Sequence, residues 1–399
     1  MKTNNKLNSF QYYCIFLMPS LAQYSILGGK LDLDVIALLI VVLLMVKDNG
    51  GKARISRNNK LTRYILYTVL IVSFNILLSH LYVTRMEIIL RSGRYCLYLV
   101  IAGMMLPEHV EYEEAVCIYR KVVFAALFYI ILQYIVYLTT GFILPKKIGM
   151  SLRNFIGRAR LSSFYSEPAD MAYSLVPFIC CALFGPQYRQ KDSRFLDALL
   201  ISFAIILSTS SQGTVVVLLL WGLRVLTGIT KRRFNKNELI LLVILVLIAL
   251  VMSRFSLFDY SLSRLTGGTR STAWAARSGG YTVFSNQGLI SKFFGVGYGN
   301  YPSVNTFRYN TYGNYINFSS LSESLFTQGI FGTFLFFLFF FYSARNGNTV
   351  QRALIIAIAV LSIGGSPLTG KYIPIYFVII LCKIIETDDL EISEGSNVI

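Results

Sequence analysis

The chain has 399 residues, 55% of them hydrophobic and only 14% charged, and its mean hydropathy is +0.58. A soluble globular domain carries about 25% charged residues, so composition excludes that class and points to an all-α, polytopic integral membrane protein. The formal net charge of +17 lies between the apolar runs. It therefore reads as loop anchoring at a membrane surface, and no nucleic-acid partner is expected.

In chain order, MKTNNKLNSF leads directly into an apolar segment with no small-residue cleavage site, and is expected to remain as part of a first span. Apolar runs of membrane-crossing length predict about twelve spans, at 10–28, 32–47, 62–83, 86–106, 117–141, 167–184, 195–210, 212–229, 238–252, 321–342, 350–366 and 372–385. Unbroken runs such as Leu239–Met252 exclude a β-barrel, whose strands alternate. The cytoplasmic loops are expected at Lys47–Lys60, Gln187–Arg194 and Thr230–Lys236, which are rich in Lys and Arg. This puts both termini in the cytoplasm, with a tail at 386–399. Large outer loops then fall at 142–166 and 253–320, all within one membrane domain over 1–399.

Those outer loops are basic as well. The first carries Lys146, Lys147, Arg153, Arg158 and Arg160. The second carries Arg254, Arg264, Arg270, Arg277, Lys292 and Arg308 against Asp259. Long loops cross membranes regardless of charge, but positive charge kept outside also fits an anionic ligand such as a lipid pyrophosphate. In the fourth span, Glu87, Arg91 and Arg94 share a helix face by spacing. Intramembrane ionisable groups are functional candidates by default, although a structural Glu87–Arg91 pair is the plainer reading. His80 reads as an interfacial packing residue and His109 as part of a solvated cytoplasmic loop. The six cysteines fall in or beside apolar runs and read as packing residues.

The stretch FFGVGYGNY (Phe293–Tyr301) resembles a nucleotide-binding loop only on the surface. Asn300 stands where a dinucleotide fingerprint needs its last glycine, and no βαβ context surrounds it. The glycines are expected to allow a tight, close-approach turn. Around it, between 253 and 320, lie seven tyrosines, Trp274 and six asparagines. Aromatic faces pack on sugar C–H faces and amides hydrogen-bond hydroxyls, so Trp274, Tyr298 and Asn300 are candidate glycan contacts.

Two segments carry a resemblance. One is RLSSFYSEPADMAYSLVP (Arg160–Pro177). The other runs from TRSTAW (Thr269–Trp274) through FFGVGYGNY to SESLFTQGIFG (Ser322–Gly332). With the expected topology, these resemble the Wzy-type O-antigen and polysaccharide polymerases, within the wider O-antigen polymerase and ligase superfamily. The turn Ser210–Gly213 is similar to a Ser-Arg-Gly turn of that family, with Gln212 in place of the arginine. The resemblance implies transfer of a growing glycan from undecaprenyl pyrophosphate onto a new lipid-linked repeat unit, at the outer face of the bacterial inner membrane. It implies no cofactor, and as partners undecaprenyl-pyrophosphate-linked glycans, membrane lipids and a chain-length co-polymerase.

On that basis Arg270 and Arg160 are candidates for pyrophosphate binding. Arg277, Arg264, Arg91 and Arg94 support them, because arginine stabilises a departing pyrophosphate with a two-pronged donor set. Glu167 and Glu323 are candidates for orienting these groups or for acting as base toward the acceptor hydroxyl. The plainer readings are a lipid-contacting arginine, a capping glutamate before Pro168, and a helix N-terminal acid at Glu323. Ligases of the superfamily carry a histidine in the region before Glu323. Asn310–Glu323 has none, which disfavours a ligase. A lipid-oligosaccharide flippase would be expected to have short outer loops.

Overall fold

Most helices form where the apolar runs predict them, two others, Thr272–Ser285 and Leu289–Phe294, form within the expected loop 253–320, and several open on local signals already present in the sequence. Asn8 and Gln11 form a reciprocal capping box at the start of α1 (Ser9–Leu21), with bonds of 3.0 and 2.8 Å. Ser319 with Ser322, and Asn348 with Gln351, do the same at the two helices that follow the long loop. The computed structural model describes residues 6–26, 31–52, 63, 66–67, 69–70, 85–147, 153–154, 161–185, 193–230, 240, 243, 246–247, 272–297, 318–368 and 370–382. The chain is mostly helical over them. After α1 come α2 (Leu33–Asp48), α3 (Arg85–Val100), α4 (Tyr112–Thr140), α5 (Pro168–Phe184), α6 (Ser193–Leu207) and α7 (Ser211–Thr230). Then follow α8 (Thr272–Ser285), α9 (Leu289–Phe294), α10 (Ser320–Asn346), α11 (Thr349–Gly364) and α12 (Ile373–Leu381). Two short antiparallel pairs join Ser25–Ile26 (β1) to Leu31–Asp32 (β2), and Phe142–Ile143 (β3) to Arg153–Asn154 (β4).

Among the described residues, α4, α7 and α10 are long and apolar enough to cross a membrane. Their outward faces carry Phe128, Leu138, Leu226, Phe334 and Phe341, all exposed, a surface suited to lipid rather than water. Helix α5 is buried on nearly every side and packs against α4, α6, α7, α11 and α12. This is the position of a helix that is apolar all round.

Several expected boundaries are displaced. The first run, expected as helix over 10–28, is helical only to Leu21 and then turns into the β1–β2 pair. Pro19, without an N–H, sits in its last turn. The last run is helical over Ile373–Leu381, after a 3-10 turn at Gly370–Tyr372. His109, expected to be solvated, is buried: its carbonyl accepts from Leu7 N at 3.0 Å, so the segment before α1 lies against it. The expected spans 62–83 and 238–252 fall largely outside the described residues, and the tail 386–399 wholly so.

The helix ends sort into two groups. At one end, Lys6 pairs with Glu111 at 2.6 Å, Arg120 with Asp197 at 2.6 Å, and Gln351 Nε2 donates to the Cys382 carbonyl at 3.1 Å. At the other, Gln23 Nε2 donates to the Phe164 carbonyl at 2.7 Å and Lys147 Nζ to the Gln23 carbonyl at 2.6 Å. There too Ser320 N donates to the Gly365 carbonyl at 2.7 Å. This second end holds the described parts of both segments expected as outer loops, and is called the loop end below.

Candidate functional site at the loop end

The segment Gly365–Tyr372, joining α11 to α12, organises the loop end. Ser366 Oγ donates to the Phe318 carbonyl at 2.8 Å, and Ser366 N to Tyr173 Oη at 3.3 Å. Tyr173 Oη in turn donates to Gln212 Oε1 at 2.9 Å. Gly365 lies against both of these groups, and a side chain there would overlap the Tyr173 hydroxyl and the Gln212 amide oxygen. Leu368 N donates to Ser320 Oγ at 3.0 Å. Lys371 pairs with Asp170 at 3.0 Å, and Asp170 also accepts from the hydroxyls of Tyr372 and Ser166. Gly370 packs against the ring of Tyr98 on α3.

Tyr98 belongs to a second polar group. Arg94 pairs with Asp32, and its Nη2 reaches both oxygens of Asp34 at 3.0 and 2.8 Å. Arg94 Nε donates to Tyr98 Oη at 3.1 Å, and Tyr98 donates to Asp34 at 2.6 Å. The Asp34 side chain is fully buried, with 0% exposure. A buried carboxylate is tolerated when a cation and further donors satisfy it.

Between these groups lies a cavity of about 20 Å3, lined by Tyr95, Ser320, Glu323, Ser324, Thr327, Gln328, Phe336 and Leu368. That volume suits about one water molecule. Tyr95 is hydrogen-bonded to Gln328, and Gln328 Oε1 is buried with no partner among the described residues. Glu323 forms no salt bridge among the described residues. Ser324 and Thr333 hydroxyls meet at 3.0 Å nearby.

The wall of this cavity is a broken helix. At Gly329 the backbone of α10 turns to φ 69° and ψ −176°, and the carbonyls freed above the break are taken by the glycine segment. Val296 N donates to the Phe326 carbonyl at 3.1 Å and Gly297 N to the Thr327 carbonyl at 3.0 Å. Gly295 has φ 79°, and any side chain there would overlap the Thr327 carbonyl oxygen. Gly329 meets the Phe293 carbonyl in the same way. The expected close approach is therefore present at Gly295, and its partner is α10 itself; the rest of the expected turn, from Tyr298 on, lies outside the described residues.

Among the described residues, two non-glycine residues adopt positive φ, Ser163 at 56° and Thr209 at 58°. Ser163 lies in the Arg160–Pro177 segment and Thr209 just before the Ser210–Gly213 turn, and Gln133 holds Ser163 from both sides, at 2.9 and 3.0 Å. Strain of this kind persists where the surroundings over-determine it. Burial pushes the Tyr165 phenol up from its ordinary range, partly offset by a hydrogen bond with Ser174.

Of the residues expected from the sequence, Glu323 lines the cavity. Glu167 is the exposed N-cap residue of α5, with Pro168 next and no capping bond from its side chain. Arg94 is held by Asp32 and Asp34. Arg91 lies on α3, and Arg277 and Trp274 on α8. Arg160, Arg264, Arg270, Tyr298 and Asn300 lie outside the described residues. Gly280 of α8 sits against Ser322 and Phe318, which brings that helix beside the start of α10. Sequence reasoning passed over Asp170, Lys371, Tyr372, Asp34 and Tyr95. For Asp170 a signal existed: an acid in the first turn of the helix into which the RLSSFYSEPAD stretch leads. Comparison with known proteins finds no family model and no curated protein that matches this chain.

Proposed function

We propose that the chain is a membrane glycosyltransferase. In this reading it polymerises undecaprenyl-pyrophosphate-linked oligosaccharide repeats into O-antigen or a related surface polysaccharide, at the outer face of the bacterial inner membrane. About twelve spans cross the membrane and the loop end faces outward. The observation that carries it is the Glu323 cavity: an acid with no cation partner among the described residues, set among polar side chains at the end where two basic loops gather. Its carboxylate takes the proton of the acceptor sugar hydroxyl. That oxygen attacks the anomeric carbon of the growing chain, and the bond from that carbon to the pyrophosphate oxygen breaks. The electron pair leaves with undecaprenyl pyrophosphate, whose charge Arg270, Arg160, Arg277, Arg264 and Arg91 neutralise. Trp274, Tyr298 and Asn300 hold the sugars, and a co-polymerase sets chain length.

The break in α10 favours a second reading, a lipid-linked oligosaccharide flippase. Transporters use interrupted helices to present backbone groups at mid-membrane. A ligase of the same superfamily has less support, for want of a histidine in Asn310–Glu323. A gel of surface glycan from a strain lacking the protein, complemented with wild type or Arg270→Ala, separates the three. Loss of the ladder to single repeats on the acceptor is the polymerase result. Bare acceptor with polymer stranded on the lipid carrier indicates a ligase. Bare acceptor with single lipid-linked units held on the cytoplasmic leaflet indicates a flippase.

A further inference from the structure

The segment expected to lie wholly outside the membrane contains α9, and the position of α9 does not suit water. Its apolar side chains point away from the protein: Leu289 is 74% exposed and Ile290 75%, with Phe293 and Phe294 about half exposed. Four large apolar side chains on six residues form a patch that an aqueous loop would not keep open. The depth of α9 explains it. The piece of α10 beyond the break, residues 330–346, is about 25 Å long, against a hydrocarbon core of about 30 Å. Arg345 in its last turn sets the far end of this piece at the membrane surface. Counted from there, Gly329 lies about 5 Å inside the hydrocarbon at the loop end. Helix α9 packs along α10 at this level, with the Phe293 carbonyl against Gly329. The neighbouring exposed side chains of α10 are Ile330, Phe331 and Phe334, which continue the same apolar surface.

We infer that Leu289–Gly297 is a re-entrant element of the long loop, with the apolar face of α9 embedded in the lipid hydrocarbon of the loop-end leaflet. Four of its backbone N–H groups have the partners that hydrocarbon demands. Lys292 N bonds to the Gly288 carbonyl at 3.0 Å and Gly295 N to that of Ser291 at 2.8 Å, while Val296 and Gly297 use the carbonyls freed by the break in α10. The half-buried Lys292 can carry its charge outward along its stem. The inference rests on the chain crossing a membrane and not on the polymerase reading, so the glycan gel leaves it untouched.

The test is tryptophan quenching. Ile290→Trp and Leu289→Trp, at exposed positions that tolerate a larger ring, are reconstituted in vesicles containing mid-chain-brominated phosphatidylcholine. The native protein, with its two tryptophans, supplies the baseline. The expected result is that each variant loses most of its added emission to the brominated lipid and little to acrylamide in the water. Quenching by acrylamide with none from the brominated lipid would overturn the inference. So would protection from both quenchers, which would mean that protein covers the face.

Discussion

At the scale of single residues, the loop end separates groups that stabilise from groups available for chemistry. Asp34 is buried and satisfied by Arg94 and Tyr98. Removing one partner of a buried pair leaves an uncompensated charge, at a cost of about 3–5 kcal/mol. Arg94→Ala, which leaves the buried Asp34 carboxylate without a cation, is therefore expected to lower the melting temperature of the purified protein sharply, and an unchanged transition would show that the pair is not buried in the working protein. Glu323 is the contrasting case. Glu323→Gln keeps the shape and the cavity but removes the base, and is expected to cut chain extension by about 100-fold or more at unchanged protein level. A normal ladder from this variant would exclude Glu323 as base. Its acidic type and its place before a span were legible in the sequence. That no described cation reaches it was not, because pairing depends on which helix lies alongside.

At the scale of elements, α10 is two helical pieces joined at Gly329, and the joint is held by a segment more than thirty residues earlier in the chain. Ala at positive φ costs about 1–2 kcal/mol, and here its methyl would also meet the Phe293 carbonyl. Gly329→Ala and Gly295→Ala are both expected to destabilise by more than about 2 kcal/mol. Gly222→Ala, in α7 with open space around it, should be neutral or stabilise by about 0.5–1 kcal/mol, since alanine suits a helix better. Thermal unfolding of the three variants in one detergent checks the ordering, and equal shifts would mean that the break is not a fixed feature. The glycines were readable as a tight turn from their spacing alone. Their partner was not, since nothing local marks Phe326 and Thr327 as carbonyls in need of donors.

For the whole molecule, the prediction concerns sidedness. Thr140 is exposed at the loop end and Asn346 is exposed at the opposite end. On intact cells of a strain making the protein, a membrane-impermeant thiol reagent that reaches only the outer face is expected to label Thr140→Cys and not Asn346→Cys. The reverse pattern would invert the proposed orientation and put Glu323 on the cytoplasmic side. By itself the sequence determined the class of the protein, its helical character and the approximate place of most helices. Those follow from the length and period of apolar runs and from local caps such as Asn8–Gln11 and Asn348–Gln351, all of which act within one or two turns. Only the tertiary structure decided that His109 is covered and that Asp170 answers to Lys371 some two hundred residues away. It also decided that the glycine segment docks into a broken helix. Each of these is a contact between elements distant in the chain, and its free energy comes from burial and hydrogen bonding across an interface that no local spacing encodes.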